Sequence, residues 1–263
     1  MYLIDYRRMD QRTNVLENPF WLTSALIKGV DVQAAGPSHT ITATDISTTS
    51  GAPDSIDGVA AGFVAAGFSV VGDPIAVSGF TGAGAAITAN NRLHTSSSIA
   101  AGKVEVVESD IISDAATEAV TVSIPRGLVL FSFPVLGRRY MIQECQLQLI
   151  EAFTTNTQIY IGLGTIATDL ITTGGLMVNS DFNAYFNNTD ITIATPAYYG
   201  PTSSTWYTAA GLCGSTSPRV ITGAVATVPV IYAIVINSTN AAPAAIAAGQ
   251  FRLHLQIAIV PGK

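Results

Sequence analysis

The chain has 263 residues, 48% of them hydrophobic and only 11% charged, with a net charge of −6, a pI near 4.9 and a mean hydropathy of +0.40. That length buries a sizeable core in one large or two ordinary domains. The charged share lies far below the roughly 25% of ordinary soluble domains, so the polar surface must come from Thr, Ser, Asn and Gln. The acidic balance argues against nucleic acid as a partner. The longest apolar run (224–236) is broken by Thr227 and Pro229 and is shorter than the ~18–20 residues a bilayer requires, so no membrane partner is expected either.

Residues 1–36 read as an extended arm. The first 28 residues hold four basic and three acidic groups, a net of +1, against −7 for the rest. "MYLIDYRRMDQR" mixes charges where a signal peptide needs an apolar core. The arm's Tyr2, Tyr6, Arg7, Arg8 and Arg12 have no clean period. "NPFWLTSALIKG" is punctuated as a short helix over 19–28: Asn18 can cap it, Pro19 suits its first position and Gly29 can end it. Its apolar residues, Phe20 and Trp21 among them, leave little polar face. About ten residues make no stable helix alone, so it must pack on its own domain, a second subunit or another protein.

Residues 37–124 read as a small β domain. Alternating pieces, "HTITATDI", "DPIAVSGF", "GKVEVVES" and "EAVTVSI", are divided by Gly, Asp, Asn and Ser, which predicts a small antiparallel barrel or sandwich. Between the first two, "IDGVAAGFVAAGF" reads as a short helix or an irregular loop.

Residues 125–263 form a second β region with clearer patterns. In "ECQLQLI", Cys145, Leu147 and Leu149 face one way and Glu144, Gln146 and Gln148 the other. "TQIYIGL" sets Ile159, Ile161 and Leu163 inward, and "TDITIAT" repeats the alternation. "QFRLHLQIAIV" places Phe251, Leu253, Leu255, Ile257 and Ile259 opposite Gln250, Arg252, His254 and Gln256. "VPVIYAIVI" is apolar on both faces, as a central sandwich strand is. Roughly eight strands with long polar loops predict a jelly-roll-like sandwich, and the whole chain is expected to be all-β.

No constellation of catalytic or ligating residues emerges, and no cofactor or metal is expected. "IAVSGFTGAGAAI" runs a strand into glycines, but the spacing is not G-x-G-x-x-G and no helix pattern follows to hold a pyrophosphate. There is no nucleophile elbow around Ser78. His39, His94 and His254 stand apart, and no C-x-x-C joins Cys145 to Cys213. Asp181, Asn183 and Asp190 lack the glycine and glutamate of a calcium loop. The neighbouring carboxylates Asp54/Asp57 and Glu105/Glu108 give no ground for choosing an acid–base pair. A non-enzymatic protein is the expectation.

The middle region resembles a small β module of tailed-bacteriophage structural proteins. The resemblance rests on an Asp-x-Ile start (Asp54, Ile56), two Gly-Phe pairs (Gly62-Phe63, Gly67-Phe68), the "GDPIAVSG" turn and strand (Gly72, Asp73, Ile75, Val77, Ser78, Gly79), Gly102, and the close at Ala115, Ala116, Val120 and Val122. Pro74 and "GAGAAI" depart from the pattern. The second region is more weakly similar to sandwich domains of phage decoration and fibre proteins. The resemblance implies a virion component made in the host cytoplasm, namely a capsid decoration or cement protein. Its implied partners are itself, as a trimer, and the major capsid protein or other virion proteins. Tyr2, Tyr6, Arg7, Arg8, Arg12, Phe20 and Trp21 would then anchor the arm. The alternative is a tail, head-fibre or receptor-binding component using Tyr198, Tyr199, Trp206 and Tyr207 as stacking faces for a glycan or receptor.

Overall fold

The structure, a computed structural model, describes residues 19–35, 37–58, 62–69, 74–81, 89–115, 118–154, 157–167, 178–186, 191–200, 220–237, 246 and 248–260. The described chain is nearly all β. It opens with β1 (Phe20–Thr23), β2 (Ile27–Lys28) and a two-turn helix, α1 (Gly29–Ala35). Seven strands follow: β3 (Pro37–Ala43), β4 (Ser47–Thr49), β5 (Ser55–Asp57), β6 (Pro74–Ser78), β7 (Leu93–Ala100), β8 (Lys103–Val106) and β9 (Val120–Pro125). Then come β10 (Leu128–Ser132), β11 (Arg139–Glu151), β12 (Thr157–Ala167), β13 (Val178–Phe186), β14 (Ala197–Tyr199), β15 (Val220–Thr222), β16 (Thr227–Asn237) and β17 (Gln250–Val260).

These strands form three antiparallel sheets. One four-stranded sheet runs β10-β16-β12-β13, and a six-stranded sheet runs β1-β17-β11-β14, with β2 added to β17 and β15 to β11. Set aside the two short additions and number the remaining eight strands along the chain from β1. The sheets then read 1-8-3-6 and 2-7-4-5, which is the double Greek key of a jelly roll. The first strand of this jelly roll is β1, and β3–β9 lie in the connection between its first and second strands. The small β domain is therefore an insertion, and the sandwich is split in sequence.

This topology corrects the reading of residues 19–28 as a helix. Phe20 and Leu22 pack against the sandwich core while Trp21 and Thr23 face away, a period of two. Antiparallel pairing with β17, from Phe20↔Ile257 to Thr23↔His254, satisfies the backbone along a long partner strand. That outweighs the capping signals of a segment too short to hold a helix alone. Ser24 continues the tie: its amide donates to the Leu253 carbonyl at 2.8 Å, and its Oγ accepts from the Leu253 amide at 3.0 Å. The helix falls one segment later, at α1. A second correction concerns "TDITIAT", whose described part is a turn leading into β14, although Ile191 is buried.

The inserted sheet runs β3-β9-β6-β7-β8-β5-β4 and does not close into a barrel. β7 pairs with β6 through Leu93–Thr95 and with β8 from Ser96 to Ala100, with a register shift between Ser96 and Ser98, and the sheet wraps a core of its own. Ile56, Phe63, Phe68, Ile75, Val77, Val120 and Val122 all lie in that core. Residues 63–67 form a turn rather than a helix. Gly67, at φ +98°, lies so close to the His39 ring that no Cβ fits. Gly79, at φ +106°, would bring a Cβ to 2.5 Å from the Ala119 carbonyl oxygen. Both positions require glycine.

Polar side chains staple this insertion. The buried Asp54 carboxylate accepts from the Gly51 amide (2.7 Å) and the Ile111 amide (2.8 Å). Asn91 accepts from the Phe80 amide and donates to the Phe80 carbonyl, doing for an isolated residue what a strand neighbour does. Asn90 donates to Thr48 Oγ1 and to the Ile112 carbonyl, and accepts from the Ile112 amide. Each bond offsets the desolvation of a group withdrawn from water.

The layers stack. The jelly-roll core lies between the six- and four-stranded sheets and includes Cys145, Leu147, Leu149, Ile159, Ile161, Leu253, Leu255 and Ile257. The far side of the four-stranded sheet is equally apolar: Tyr160, Ile166, Val228, Val230, Tyr232, Ile234 and Ile236 pack with Ala76 of β6 and Leu93 of β7. Thus "VPVIYAIVI" is buried on both faces because β16 separates the sandwich core from the inserted sheet. Five of its side chains, at 228, 230, 232, 234 and 236, form the side that meets the insertion. At about 1.5–3 kcal/mol per fully buried apolar side chain, this junction binds insertion and jelly roll into one body.

Candidate functional site: the outer face of the six-stranded sheet

The six-stranded sheet has one face on the core and one in solvent. Alternation fixes which residues share the solvent face. From β17 come Gln250, Arg252, His254 and Gln256, and from β11, beyond an irregularity between Ile142 and Glu144, come Glu144, Gln146, Gln148 and Ile150. Register places Trp21 beside Gln256, Thr23 beside His254, and Tyr198 beside Gln148, which itself lies beside Arg252.

A hydrogen-bonded line crosses this face. Thr23 Oγ1 lies 2.9 Å from His254 Nδ1, and His254 Nε2 lies 3.2 Å from Gln148 Oε1. An amide oxygen only accepts, which makes Nε2 the protonated nitrogen and leaves Nδ1 to accept from the Thr23 hydroxyl. Partial burial and the neighbouring Arg252 hold His254 below its ordinary pKa, so the ring is neutral at pH 7. The Tyr198 ring stands 5.9 Å from the imidazole at an interplanar angle of 39°. Beside this line, Gln146 Nε2 donates to Glu144 Oε1 at 2.7 Å. Arg252 has no carboxylate partner among the described residues, and its Nε is buried without a hydrogen bond.

This arrangement presents amides, an imidazole, a guanidinium and two aromatic rings, groups that can bind a polar ligand. The carboxylate pairs singled out in sequence are occupied structurally. Asp54 holds two amides, and Asp57 accepts from Thr49 and Ser55. Glu105 pairs with Lys103 at 3.2 Å, and Glu108 accepts from the Thr95 amide. Among the described residues no three His, Cys, Asp or Glu side chains gather to hold a metal ion. No described helix is long and apolar enough to cross a membrane. Cys145 is a buried core residue.

Buried His94 in the insertion is a structural histidine. Its Nε2 donates to the Asn90 carbonyl at 3.0 Å, and Nδ1 faces Glu108 at 3.9 Å. Burial is the main cause that lowers its pKa.

The structure divides the sequence-predicted residues in a new way. Tyr2, Tyr6, Arg7, Arg8, Arg12, Trp206, Tyr207 and Cys213 lie outside the described residues. Phe20 and Tyr199 are partly buried against the sandwich core, and the Tyr199 hydroxyl donates to the Thr192 carbonyl at 2.9 Å. Trp21 and Tyr198, predicted for two different surfaces, stand on the same face, 46% and 63% exposed. Between them lie Gln146, Gln148, Arg252, His254 and Gln256, which were not predicted as site residues. Their signal was present in "ECQLQLI" and "QFRLHLQ", whose polar sides match once the two strands pair. Compared with protein-family models, curated proteins and solved structures, the chain matches none.

Proposed function

We propose that this chain is a non-enzymatic virion structural protein, a capsid decoration or cement protein that attaches through its N-terminal segment and associates with copies of itself as a trimer. The observation that carries this reading is the setting of β1. The chain ahead of Pro19 joins β1, an edge strand of the six-stranded sheet, and on this reading Tyr2, Tyr6, Arg7, Arg8 and Arg12 are the anchors that meet a neighbour. Strand edges and arginine–aromatic anchors are common means of such attachment. The jelly roll also occurs in capsid proteins, which supports the reading by analogy of fold alone.

The test is a truncation lacking residues 1–18 together with the copy number of the chain per particle. The decoration reading expects a copy number near that of the major capsid protein. It also expects that the truncated protein folds but no longer binds capsids. Full occupancy by the truncated protein would overturn the role of the segment, and absence from particles would overturn the virion reading. A ratio of a few per cent would favour the second reading, a tail, head-fibre or receptor-binding component. What favours that reading is the exposed aromatic and amide face of the six-stranded sheet.

A further inference from the structure

We propose that the outer face of the six-stranded sheet binds a polysaccharide chain that includes a carboxylate-bearing sugar, with Arg252 on the carboxylate, Gln146 and Gln148 on sugar hydroxyls, and Tyr198 and Trp21 as stacking platforms. The inference goes beyond placement in the virion and rests on this face alone.

The composition of the face selects the ligand class. A nucleic acid would need several cations in line along its phosphates, and here Arg139 and Lys28 lie at opposite ends of β17 with Arg252 and Glu144 between them, on a chain of net charge −6. A protein hot spot places its aromatic anchors in a desolvated centre, whereas this centre is made of amides and an imidazole. Sugar hydroxyls both donate and accept, as do glutamine side chains. The C–H faces of pyranose rings lie flat on aromatic rings. With strands ~4.8 Å apart and ~3.4 Å per residue, the pairings place Trp21 and Tyr198 about 20 Å apart on a diagonal of the sheet. That span suits an extended oligosaccharide lying across the strands rather than a single sugar.

The anionic component follows from Arg252. Among the described cations of this face, Arg139 and Lys28 lie at the two ends of β17 while Arg252 lies beside Gln148 and near Tyr198. Arg252 has no carboxylate partner among the described residues, and its Nε makes no hydrogen bond. A planar guanidinium in that state is complementary to a carboxylate. The adjacent His254 is held by Thr23 and Gln148, which fixes the Gln148 amide and gives the platform a preset shape. A uniformly anionic polymer would be repelled by the acidic body, so one carboxylate among neutral sugars is the fitting pattern.

The experiment titrates the full chain with a panel of oligosaccharides. It includes hyaluronan fragments, which alternate a uronate with a neutral N-acetylated sugar, and chitin fragments, which are neutral throughout. Binding is read by calorimetry and by Trp fluorescence. The expected result is that uronate-containing members bind more tightly than neutral ones. Arg252→Ala and Tyr198→Ala should each weaken binding by about tenfold or more, and Trp21→Phe should remove the fluorescence response. Tyr198 is exposed, so its truncation leaves the fold intact, and the melting temperature verifies this. Absence of binding across the panel overturns the proposal, as does binding that Arg252→Ala leaves unchanged. If sedimentation shows self-association that Tyr198→Ala abolishes, the face is a subunit interface and the proposal is also overturned. None of these outcomes depends on copy number in particles.

Discussion

Two truncations ten residues apart separate the jelly-roll assignment of β1 from the reading of residues 1–36 as a detachable arm. The decoration reading expects removal of residues 1–18 to leave stability within about 0.5 kcal/mol of the full chain. Removing residues 1–28 strips β1 and β2 from the edge of β17. Ile27 is buried, and full burial of such a side chain is worth about 1.5–3 kcal/mol. Phe20 and Leu22 are half-buried against the core and add about 1 kcal/mol each on the same scale. Ser24 leaves the buried Leu253 amide without its acceptor, at about 1–3 kcal/mol. The loss is therefore about 4.5–8 kcal/mol, comparable to the entire stability of many domains. It also bares a long strand prone to edge-to-edge aggregation. Urea unfolding followed by circular dichroism measures both variants. Ile27→Ala is the milder version, expected to cost about 2–4 kcal/mol. An unfolding midpoint for the 1–28 deletion equal to that of the full chain would refute the assignment of β1 to the sandwich.

Asp54→Ala should destabilise the insertion by about 2–4 kcal/mol in the same assay, because the buried Ile111 amide is left unbonded while the more exposed Gly51 amide turns to water. Asp54→Asn keeps one acceptor for Ile111 and should cost less, so a larger loss for Asn than for Ala would sink this account. Acidification tests His94. Its pKa is lowered from 6.5 in the folded chain, so the native state holds fewer protons than the unfolded one. The stability it contributes is complete above about pH 6.5 and is lost as pH falls below that, by at most about 1.4 kcal/mol per pH unit. Half-exposed His254 shifts in the same direction. His94→Gln should flatten the dependence between pH 5 and 7, and an unchanged slope would assign it to other groups.

Alternation along a strand was legible in the sequence, and strand pairing was not. The inward sets Cys145, Leu147, Leu149 and Phe251 through Ile259 follow from period two alone. Period two does not say that "ECQLQLI" lies beside "QFRLHLQ", and only that pairing turns two polar strand faces into one surface. The segment at 19–28 carries Asn18, Pro19 and Gly29, strong helix punctuation, while the deciding fact is a partner strand more than 230 residues away. β7 was not recognised among the alternating pieces because "LHTSSSIA" is rich in serine. Its Ser96 is nonetheless buried, as tertiary context outweighs local propensity. Asp54 stood out as the start of a motif, but its chemistry, a carboxylate closing two loops, is a property of contacts that no spacing encodes.

A chain with 48% hydrophobic and 11% charged residues has more apolar side chains than a single sandwich core needs, and the layers show where they go. Much of that apolar content is consumed internally. β6 is buried along its whole length and β16 on both faces, because the insertion lies against the four-stranded sheet. Three stacked sheets need more two-sided apolar strands than one sandwich does. The exposed large hydrophobics among the described residues belong to several elements: Val30 on α1, Val64 in the 63–67 turn, Val107 and Ile112 between β8 and β9, Leu136 and Val225 in turns at one end of the sandwich, and Trp21, Ile150 and Tyr198 on the six-stranded sheet. Single exposed apolar residues of this kind are ordinary on a protein surface. On the proposed reading, association with other chains would then use the segment ahead of β1, the outer strands of each sheet, or the polar face that carries Trp21 on one edge strand and Tyr198 on the other.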